Sequence, residues 1–312
     1  MQRTAFLFPG QGSQRVGMGR DLFEGSQDVR DLYERASEAV GLDIAAVSFE
    51  GPEDKLTRTD NAQPALLVAG VAAMTELVRR GVEPWAVAGH SLGEYSALVA
   101  AGSIDFEDGV RAVRERGRLM YEAGLKRPGT MAAIIGLDED AVGAIVKRAS
   151  AAGVVQTANL NAPGQVVISG EVDAVKEAMD LAGSGGARRV IGLKVSGAFH
   201  SELVDEARAG MEAFLRDVEI REPRALFVSN VTGGAVADPE EIRKNLVAQI
   251  VSPVRWVDDV RALVRRSASL FLEVGPGNVL RGLLRRIEPE AASLPAGRLE
   301  DIERAAAEIA SR

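Results

Sequence analysis

A serine between two glycines, in the pentapeptide Gly-His-Ser-Leu-Gly at positions 89–93, is the residue of this sequence best placed for covalent chemistry. An apolar run over 85–88 precedes it, and an apolar stretch over 95–101 follows it. A strand that enters Gly-x-Ser-x-Gly and continues as a helix is a nucleophile elbow, in which a sharp turn exposes the serine oxygen. The pattern predicts Ser91 as a catalytic nucleophile near the N-terminal amides of a helix. The alternative is a glycine-rich turn with an incidental serine.

Only two histidines occur in the sequence, which restricts the choice of a general base for Ser91. His90 is adjacent to the serine in a tight turn, where neighbouring side chains diverge. His200, in Gly-Ala-Phe-His-Ser at 197–201, is therefore the better candidate. A serine–histidine pair normally has a third group that orients the ring. The residues themselves indicate no carboxylate for that role, and His200 could instead be a structural loop histidine.

The glycine-rich segment Phe-Pro-Gly-Gln-Gly-Ser-Gln at 8–14 follows the first predicted strand. It is not a dinucleotide fingerprint, because Arg15 stands where the third glycine belongs. It is not a phosphate-binding P-loop either, because Met18 and Gly19 replace the Lys and the Ser or Thr. Its backbone amides could supply one of two oxyanion-hole hydrogen bonds, with the Leu92 amide supplying the other. A plain turn is the alternative.

Arg116 lies in a predicted helix over 110–124, at the border of an apolar face that contains Val113 and Met120. This spacing alone favours a surface arginine whose aliphatic stem covers the apolar face. The functional interpretation is a two-pronged clamp for a substrate carboxylate.

Composition excludes several classes of function. The formal net charge of −8 argues against general binding to nucleic acid or to an anionic membrane. The absence of cysteine excludes disulfides, thiolate metal sites and a cysteine nucleophile. No stretch is expected to reach the roughly eighteen apolar residues of a membrane helix, and the first apolar run is too short for a signal peptide. A cytoplasmic location is expected.

The pattern of elements predicts an α/β fold with a mainly parallel sheet. Buried strands are predicted at 4–8, 85–89, 225–229 and 270–274, and the helices between them include a long apolar one over 62–80. Residues 128–196 differ, because strands at 131–135, 154–159, 165–169 and 188–195 alternate with helices at 138–149 and 172–181. That β-α-β-β-α-β order is ferredoxin-like. We therefore expect a large subdomain of residues 1–127 and 197–312, with a small subdomain of residues 128–196 inserted into it.

Seven ordered motifs resemble the malonyl-CoA:acyl carrier protein transacylase family of bacterial fatty-acid synthesis, and the related acyltransferase domains of polyketide synthases. The resemblance covers about residues 4 to 288. The motifs are FPGQGSQ from Phe8, GHSLGE from Gly89, Arg116-Gly117, NAPGQV from Asn161, Phe199-His200-Ser201, Gln249 ahead of PVRW at 253–256, and EVGPG from Glu273.

The resemblance implies an α/β-hydrolase-like core with an inserted ferredoxin-like lobe, and an active site in the cleft between them. Ser91 would carry the acyl group, and His200 would act as its general base and acid. A main-chain carbonyl near Gln249 would orient the histidine, which accounts for the missing carboxylate. Gln11 and Leu92 would supply the oxyanion-hole amides.

The resemblance also implies substrate contacts. Arg116 would pair with the free carboxylate of the malonyl group, and His90, Asn161 and Phe199 would line the cleft. Ala198 departs from the proline that many relatives carry, which alters loop stiffness and not the reacting groups. Phe199 resembles malonyl-selective members, since its ring leaves little room at the α-carbon of the acyl group.

The implied partners are malonyl-CoA and a phosphopantetheinylated acyl carrier protein, for a monomer that uses no cofactor or metal and binds no nucleic acid or membrane. Carrier proteins are acidic, so docking needs local basic patches. The candidate pairs, each of which could also be ordinary solvated surface, are Lys126-Arg127, Arg188-Arg189 and Arg285-Arg286.

Three alternatives stay open on the sequence. One is a serine esterase or thioesterase, although such hydrolases place an acid between the serine and a histidine close to the C-terminus. Another is a carrier-protein docking module without activity, which the presence of both Ser91 and His200 argues against. The last is a stand-alone polyketide acyltransferase that uses another extender unit.

Overall fold

A computed structural model of the chain describes residues 3–311, which form two separate β-sheets with helices packed on both. The strands are β1 (Thr4–Phe8), β2 (Ala86–Gly89), β3 (Thr130–Ile135), β4 (Val155–Ala162), β5 (Gln165–Gly170), β6 (Arg189–Gly192), β7 (Leu226–Ser229), β8 (Gly234–Ala235), β9 (Leu270–Val274) and β10 (Ser293–Ala296). The α-helices are α1 (Arg20–Gly25), α2 (Gln27–Val40), α3 (Ile44–Phe49), α4 (Glu53–Thr57), α5 (Thr59–Arg79), α6 (Gly93–Ala100), α7 (Phe106–Lys126), α8 (Glu139–Ala149), α9 (Val172–Ser184), α10 (Asp205–Leu215), α11 (Pro239–Gln249), α12 (Trp256–Arg265), α13 (Val279–Ile287) and α14 (Leu299–Ala310).

The larger sheet has the strand order β10-β9-β1-β2-β7-β8, and every pairing is parallel except that of β7 with β8. Its central strands β9, β1, β2 and β7 are almost entirely buried and mostly apolar because helices cover both faces. Phe6 and Phe8 of β1 belong to the core on one face, and Ala5 and Leu7 belong to the core on the other. The carboxyl ends of β1 and β2 therefore meet at one edge, where the glycine-rich loop and the serine turn follow them.

The smaller sheet is antiparallel, with the order β4-β5-β3-β6, and α8 and α9 pack on it around an apolar cluster of their own. The predicted element order over residues 128–196 matches the observed order. Strand β6 is shorter than predicted, because the chain leaves the sheet after Gly192 and runs along the cleft at 193–195. Strands β8 and β10 were not predicted. Strand β10 contains Pro295, which its edge position tolerates and which hides it from a sequence pattern.

Helix α5 packs against α7 in the core of the larger unit. Within residues 3–311 it is the one helix with the length and apolar character to cross a membrane, and 83% of its apolar window is buried inside the protein. The prediction that no stretch reaches that length was therefore wrong. Pro64 lies inside α5 and cannot donate to the Asp60 carbonyl, and the Arg114 side chain donates to that carbonyl instead.

The turn from β2 into α6 requires both glycines for space. A Cβ on Gly89 would collide with the backbone of Gly93, and a Cβ on Gly93 would collide with the carbonyl oxygen of Phe8. The left-handed backbone belongs to Ser91, whose φ is 52°. The two glycines therefore let α6 approach β1 and β2.

We expect Gly93→Ala to lower the free energy of unfolding by about 1–3 kcal/mol, because the added methyl group would collide with backbone atoms that cannot move aside. Gly143→Ala is the matched control, since Gly143 lies exposed in α8 and a Cβ there has open space. It should raise the free energy of unfolding by about 0.5–1 kcal/mol. Urea titrations of both variants measure this difference, and equal stability of the two would contradict the packing argument.

Candidate active site

A cleft with a cavity of about 310 Å³ lies at the carboxyl ends of β1 and β2, between the two sheets. Its walls come from the loop after β1, the serine turn, helix α7 and the smaller sheet. The lining residues are Gln11, Gly12, Gln14, Thr57, His90, Ser91, Leu92, Arg116, Met120, Met131, Asn159, Leu193, Lys194, Val195, Phe199 and His200.

Ser91 and His200 meet in this cleft, with 2.8 Å between the serine Oγ and the imidazole Nε2. Both residues have left-handed backbone, with φ of 52° and 58° respectively. Such conformations are costly for residues other than glycine and are concentrated at functional sites. His90, by contrast, turns away, and its Nε2 lies 2.8 Å from the Oδ1 of Asn161.

Main-chain carbonyls orient the His200 ring. Its Nδ1 lies 2.9 Å from the Gln249 carbonyl oxygen and 3.2 Å from that of Ser252. Both atoms only accept hydrogen bonds, so Nδ1 carries the proton and Nε2 is left to accept the Ser91 hydroxyl. Burial, with a smaller contribution from the Arg116 charge, lowers the pKa of His200 to about 3. The ring is therefore neutral, in its basic form, at neutral pH.

A buried polar network that the sequence did not indicate fixes the serine turn. Asn230 Oδ1 accepts from the Ser91 amide at 2.8 Å, and its Nδ2 donates to the Gly89 carbonyl and to Asp259, both at 2.8 Å. The Glu94 carboxyl group accepts a hydrogen bond from the backbone N–H of Asn230 at 2.9 Å. Burial raises the pKa of Glu94 to about 7 and raises that of Asp259 as well. The one available signal was that Asn230 directly follows a predicted strand.

The backbone amides of Gln11 and Leu92 are free to bind a ligand oxygen. Within residues 3–311 neither backbone N–H donates a hydrogen bond, although the Gln11 side chain donates to Thr59 Oγ1 at 3.2 Å, and both residues line the cleft. The loop that carries Gln11 packs tightly on the serine turn. The contact is so close that a Cβ at Gly10 would collide with the His90 carbonyl oxygen. Two unpaired amides beside a serine Oγ are the arrangement that stabilises a tetrahedral oxyanion.

Arg116 is buried, with 1% of its surface exposed, so the prediction of a surface arginine was wrong. The helical wheel placed it at the border of the apolar face, and the cleft lies against that border. Its Nη2 lies 3.0 Å from Ser91 Oγ and 2.8 Å from Gln249 Oε1. Its Nη1 lies 2.9 Å from Oε1 of Gln63, a partner that no sequence pattern singled out.

No carboxylate forms a direct ion pair with Arg116 in the part of the chain that the structure describes, and the charge of Glu94 reaches the guanidinium only across the Gln249 amide group. None of the ion pairs there involves it, and its buried Nε has no hydrogen-bond partner. Burial lowers the pKa of Arg116, yet a guanidinium stays charged in proteins. A buried charge without a directly paired counter-ion is costly, so this side chain is arranged to receive an anion.

Two of the three other residues predicted to line the cleft do line the cavity. His90 and Phe199 line the cavity, and Phe199 is 6% exposed. Asn161 is not among the residues that line the cavity. It holds His90, whose ring also packs 5.6 Å from the Trp256 ring.

Comparison with known proteins agrees with this geometry. A family model described as an acyl transferase domain matches residues 5–297. A malonyl CoA-acyl carrier protein transacylase of Bacillus subtilis (strain 168) is 41% identical over 304 residues, which are 97% of this chain and 96% of that protein. A malonyl CoA-acyl carrier protein transacylase structure from Coxiella burnetii aligns with a TM-score of 0.95 at 38% identity, covering 98% of this chain and 97% of that one. A malonyl-transacylase solved in complex with its type II polyketide acyl-carrier protein also gives 0.95 at 38% identity, covering 98% and 100%.

The depressed pKa of His200 predicts a pH-dependent stability term. Between pH 6.5 and about 3 the unfolded chain protonates this residue and the folded chain does not, so stability falls as the pH falls through this window. A full proton of difference corresponds to ~1.4 kcal/mol per pH unit. His200→Gln should therefore lose less stability than the native protein between pH 6 and pH 5. Urea titrations at the two pH values test this, and parallel losses would refute it.

Proposed function

We propose that Ser91 and His200 move the malonyl group of malonyl-CoA to the phosphopantetheine thiol of an acyl carrier protein. The chain belongs to the acyl transferase family that includes the malonyl-CoA–acyl carrier protein transacylases. The observation that carries this proposal is the Arg116 guanidinium, buried without a directly paired carboxylate, beside the Ser91–His200 pair. A serine, a neutral imidazole and two free amides suit acyl transfer, and the guanidinium adds a place for an acyl carboxylate.

In the first half-reaction Ser91 Oγ attacks the thioester carbon while His200 Nε2 takes the hydroxyl proton. The Gln11 and Leu92 amides hold the developing oxyanion. The carbon–sulfur bond then breaks, the imidazolium returns the proton to the CoA sulfur, and a malonyl ester remains on Ser91. A thioester is already activated, so the proposed reaction calls for no cofactor.

In the second half-reaction the carrier-protein thiol enters the vacated site and gives its proton to His200. Its sulfur attacks the malonyl-serine ester, and the carbon–oxygen bond breaks as the imidazolium reprotonates Ser91 Oγ. The two half-reactions use the same base in turn, which makes the mechanism ping-pong. The main-chain carbonyls on Nδ1 keep the ring oriented in both half-reactions.

The position of Arg116 suits a malonyl group. Its Nη2 lies 3.0 Å from the oxygen that becomes acylated, and the malonyl carboxylate carbon is only two bonds from the ester carbonyl carbon. The carboxylate can accept hydrogen bonds from the guanidinium N–H groups that have no partner in the protein, such as that of Nε. A charge-assisted pair of this kind is stronger than a neutral hydrogen bond. An acetyl group offers no such partner.

The proposal extends to the architecture. An α/β-hydrolase-like large subdomain, residues 1–127 and 197–312, and a ferredoxin-like small subdomain, residues 128–196, would close on the acyl group from two sides. The two sheets and the separate apolar cluster of the smaller one support this division. We further propose a cytoplasmic monomer that acts alone on its two substrates.

A relative has been solved with its acyl-carrier protein, and we propose a carrier protein as the partner of this chain as well. Two of the candidate basic pairs are already engaged in part, since Lys126 forms an ion pair with Glu206 and Arg286 donates to the Pro163 carbonyl. Arg188 and Arg189 are exposed, with no ion pair among the described residues. That pair is therefore the first of the three to test for docking.

Ser91→Ala should abolish covalent loading and leave the fold intact, because the change removes one hydroxyl from a turn still held by Gly89, Gly93 and Asn230. Intact-mass spectrometry after incubation with malonyl-CoA detects the ester. Single-turnover assays of the native protein with and without carrier protein then separate transfer from hydrolysis. A malonylated Ser91→Ala protein, or release of free malonate at the same rate in both assays, would overturn the proposal.

Arg116→Ala should damage malonyl loading far more than acetyl loading, since only malonyl presents a carboxylate to the guanidinium. The malonyl-to-acetyl ratio of kcat/KM should fall by roughly 10- to 150-fold, the equivalent of ~1.5–3 kcal/mol. Arg116→Lys should recover only part of this loss, because an ammonium cannot make a two-pronged contact. The ratio cancels any loss of active protein. An equal fall for both substrates would mean that Arg116 supports the fold or the CoA portion.

A further inference from the structure

Gln63 is fully buried in α5 and contacts the Arg116 guanidinium directly. Its Oε1 accepts from Arg116 Nη1 at 2.9 Å, and its Nε2 lies 3.7 Å from Met120 Sδ, a weak acceptor. The orientation of the amide is determined, because the guanidinium can only donate and must face the oxygen. Gln63 does not line the cleft and touches the reacting atoms only through Arg116.

Every acceptor around the Arg116 guanidinium is electrically neutral. They are the amide oxygens of Gln63 and Gln249 and the hydroxyl oxygen of Ser91. Glu94 is one contact further away, at the other end of the Gln249 amide group. Amide oxygens fix the position of a guanidinium through geometry and leave its net charge in place.

The same two helices contain an arginine with the opposite arrangement. Arg114, two residues before Arg116 on α7, forms an ion pair at 3.1 Å with Asp60, three residues before Gln63 on α5. A carboxylate opposite α7 is therefore compatible with this packing. At the position that contacts Arg116, the chain has glutamine, the uncharged counterpart of glutamate.

We propose that Gln63 is a specificity-determining residue, because it holds Arg116 in place without supplying a negative charge and so reserves the guanidinium for the carboxylate of the acyl group. The inference rests on the proposed malonyl transfer. It identifies Gln63 as a positioning residue that acts through Arg116, and it makes the absence of charge at position 63 a requirement for selecting a carboxylated acyl group over a neutral one of similar size.

Gln63→Glu is the most direct test, because glutamate has nearly the same shape and would neutralise Arg116 in place. The malonyl-to-acetyl ratio of kcat/KM for loading Ser91 should fall at least about tenfold, while acetyl loading stays within about threefold of the native value. Gln249 is unsuitable for the same change, since its carbonyl orients His200 and its amide donates to Ser91.

Two further variants make the test specific. Gln27→Glu adds the same charge at an exposed residue of α2 that is not part of the cleft lining, so it should leave the ratio unchanged. Gln63→Met removes the acceptor without adding charge. It should lower the ratio less than Gln63→Glu, because Arg116 loses a contact but remains charged.

The outcomes distinguish failure of the proposed malonyl transfer from failure of the role assigned to Gln63. If the native protein does not load malonyl on Ser91, the proposed function itself fails. If it does, a Gln63→Glu protein with an unchanged ratio, or with equal losses for malonyl and acetyl, overturns the role of Gln63. A Gln27→Glu protein with the same fall as Gln63→Glu would overturn it as well, by showing a general effect of charge. If Gln63→Glu does not fold, an unchanged ratio in Gln63→Met overturns the role of Gln63 in its place.

Discussion

The contact between the buried Arg116 guanidinium and Ser91 Oγ is the interaction on which the rest of the site depends. Removing a cation from water without a counter-ion carries a large desolvation cost. The fold offsets part of that cost with acceptors from α5, from α11 and from the turn before α6, and with the Tyr95 ring 5.9 Å from the guanidinium. The helices α5, α6 and α11 must therefore converge on one side chain, which α7 presents to the cleft.

The same restriction on negative charge applies to the serine–histidine pair. Main-chain carbonyls orient His200 where many serine enzymes use a carboxylate. A carboxylate there would place a second anion near Arg116 and compete with the acyl group for it. The buried acids of the site, Glu94 and Asp259, support the serine turn through Asn230, and burial raises the pKa of both. The site thus presents its positive charge on the side of the reacting serine.

The sequence predicted the features that local patterns encode. The elbow around Ser91, the choice of His200 from two histidines and the alternation of the central strands all follow from short-range spacing. The burial of Arg116 did not follow, because a helical wheel places it at a border and Gln63 lies 53 residues away. Asn230 and Asp259 come from separate segments that meet only when β7 and α12 pack together. The carbonyls that orient His200 have no side-chain signature, and only the resemblance pointed to one of them.

The central claim is that a buried guanidinium without a directly paired carboxylate selects a carboxylated acyl group at Ser91. Its most direct test is a competition in which the native protein meets equal concentrations of malonyl-CoA and acetyl-CoA in the absence of an acceptor. Intact-mass spectrometry of the loaded protein at short times then reports which ester has formed. We expect the malonyl ester of Ser91 to predominate. Comparable amounts of acetyl and malonyl ester would contradict the account, because they would show that the Arg116 charge does not discriminate between the two groups.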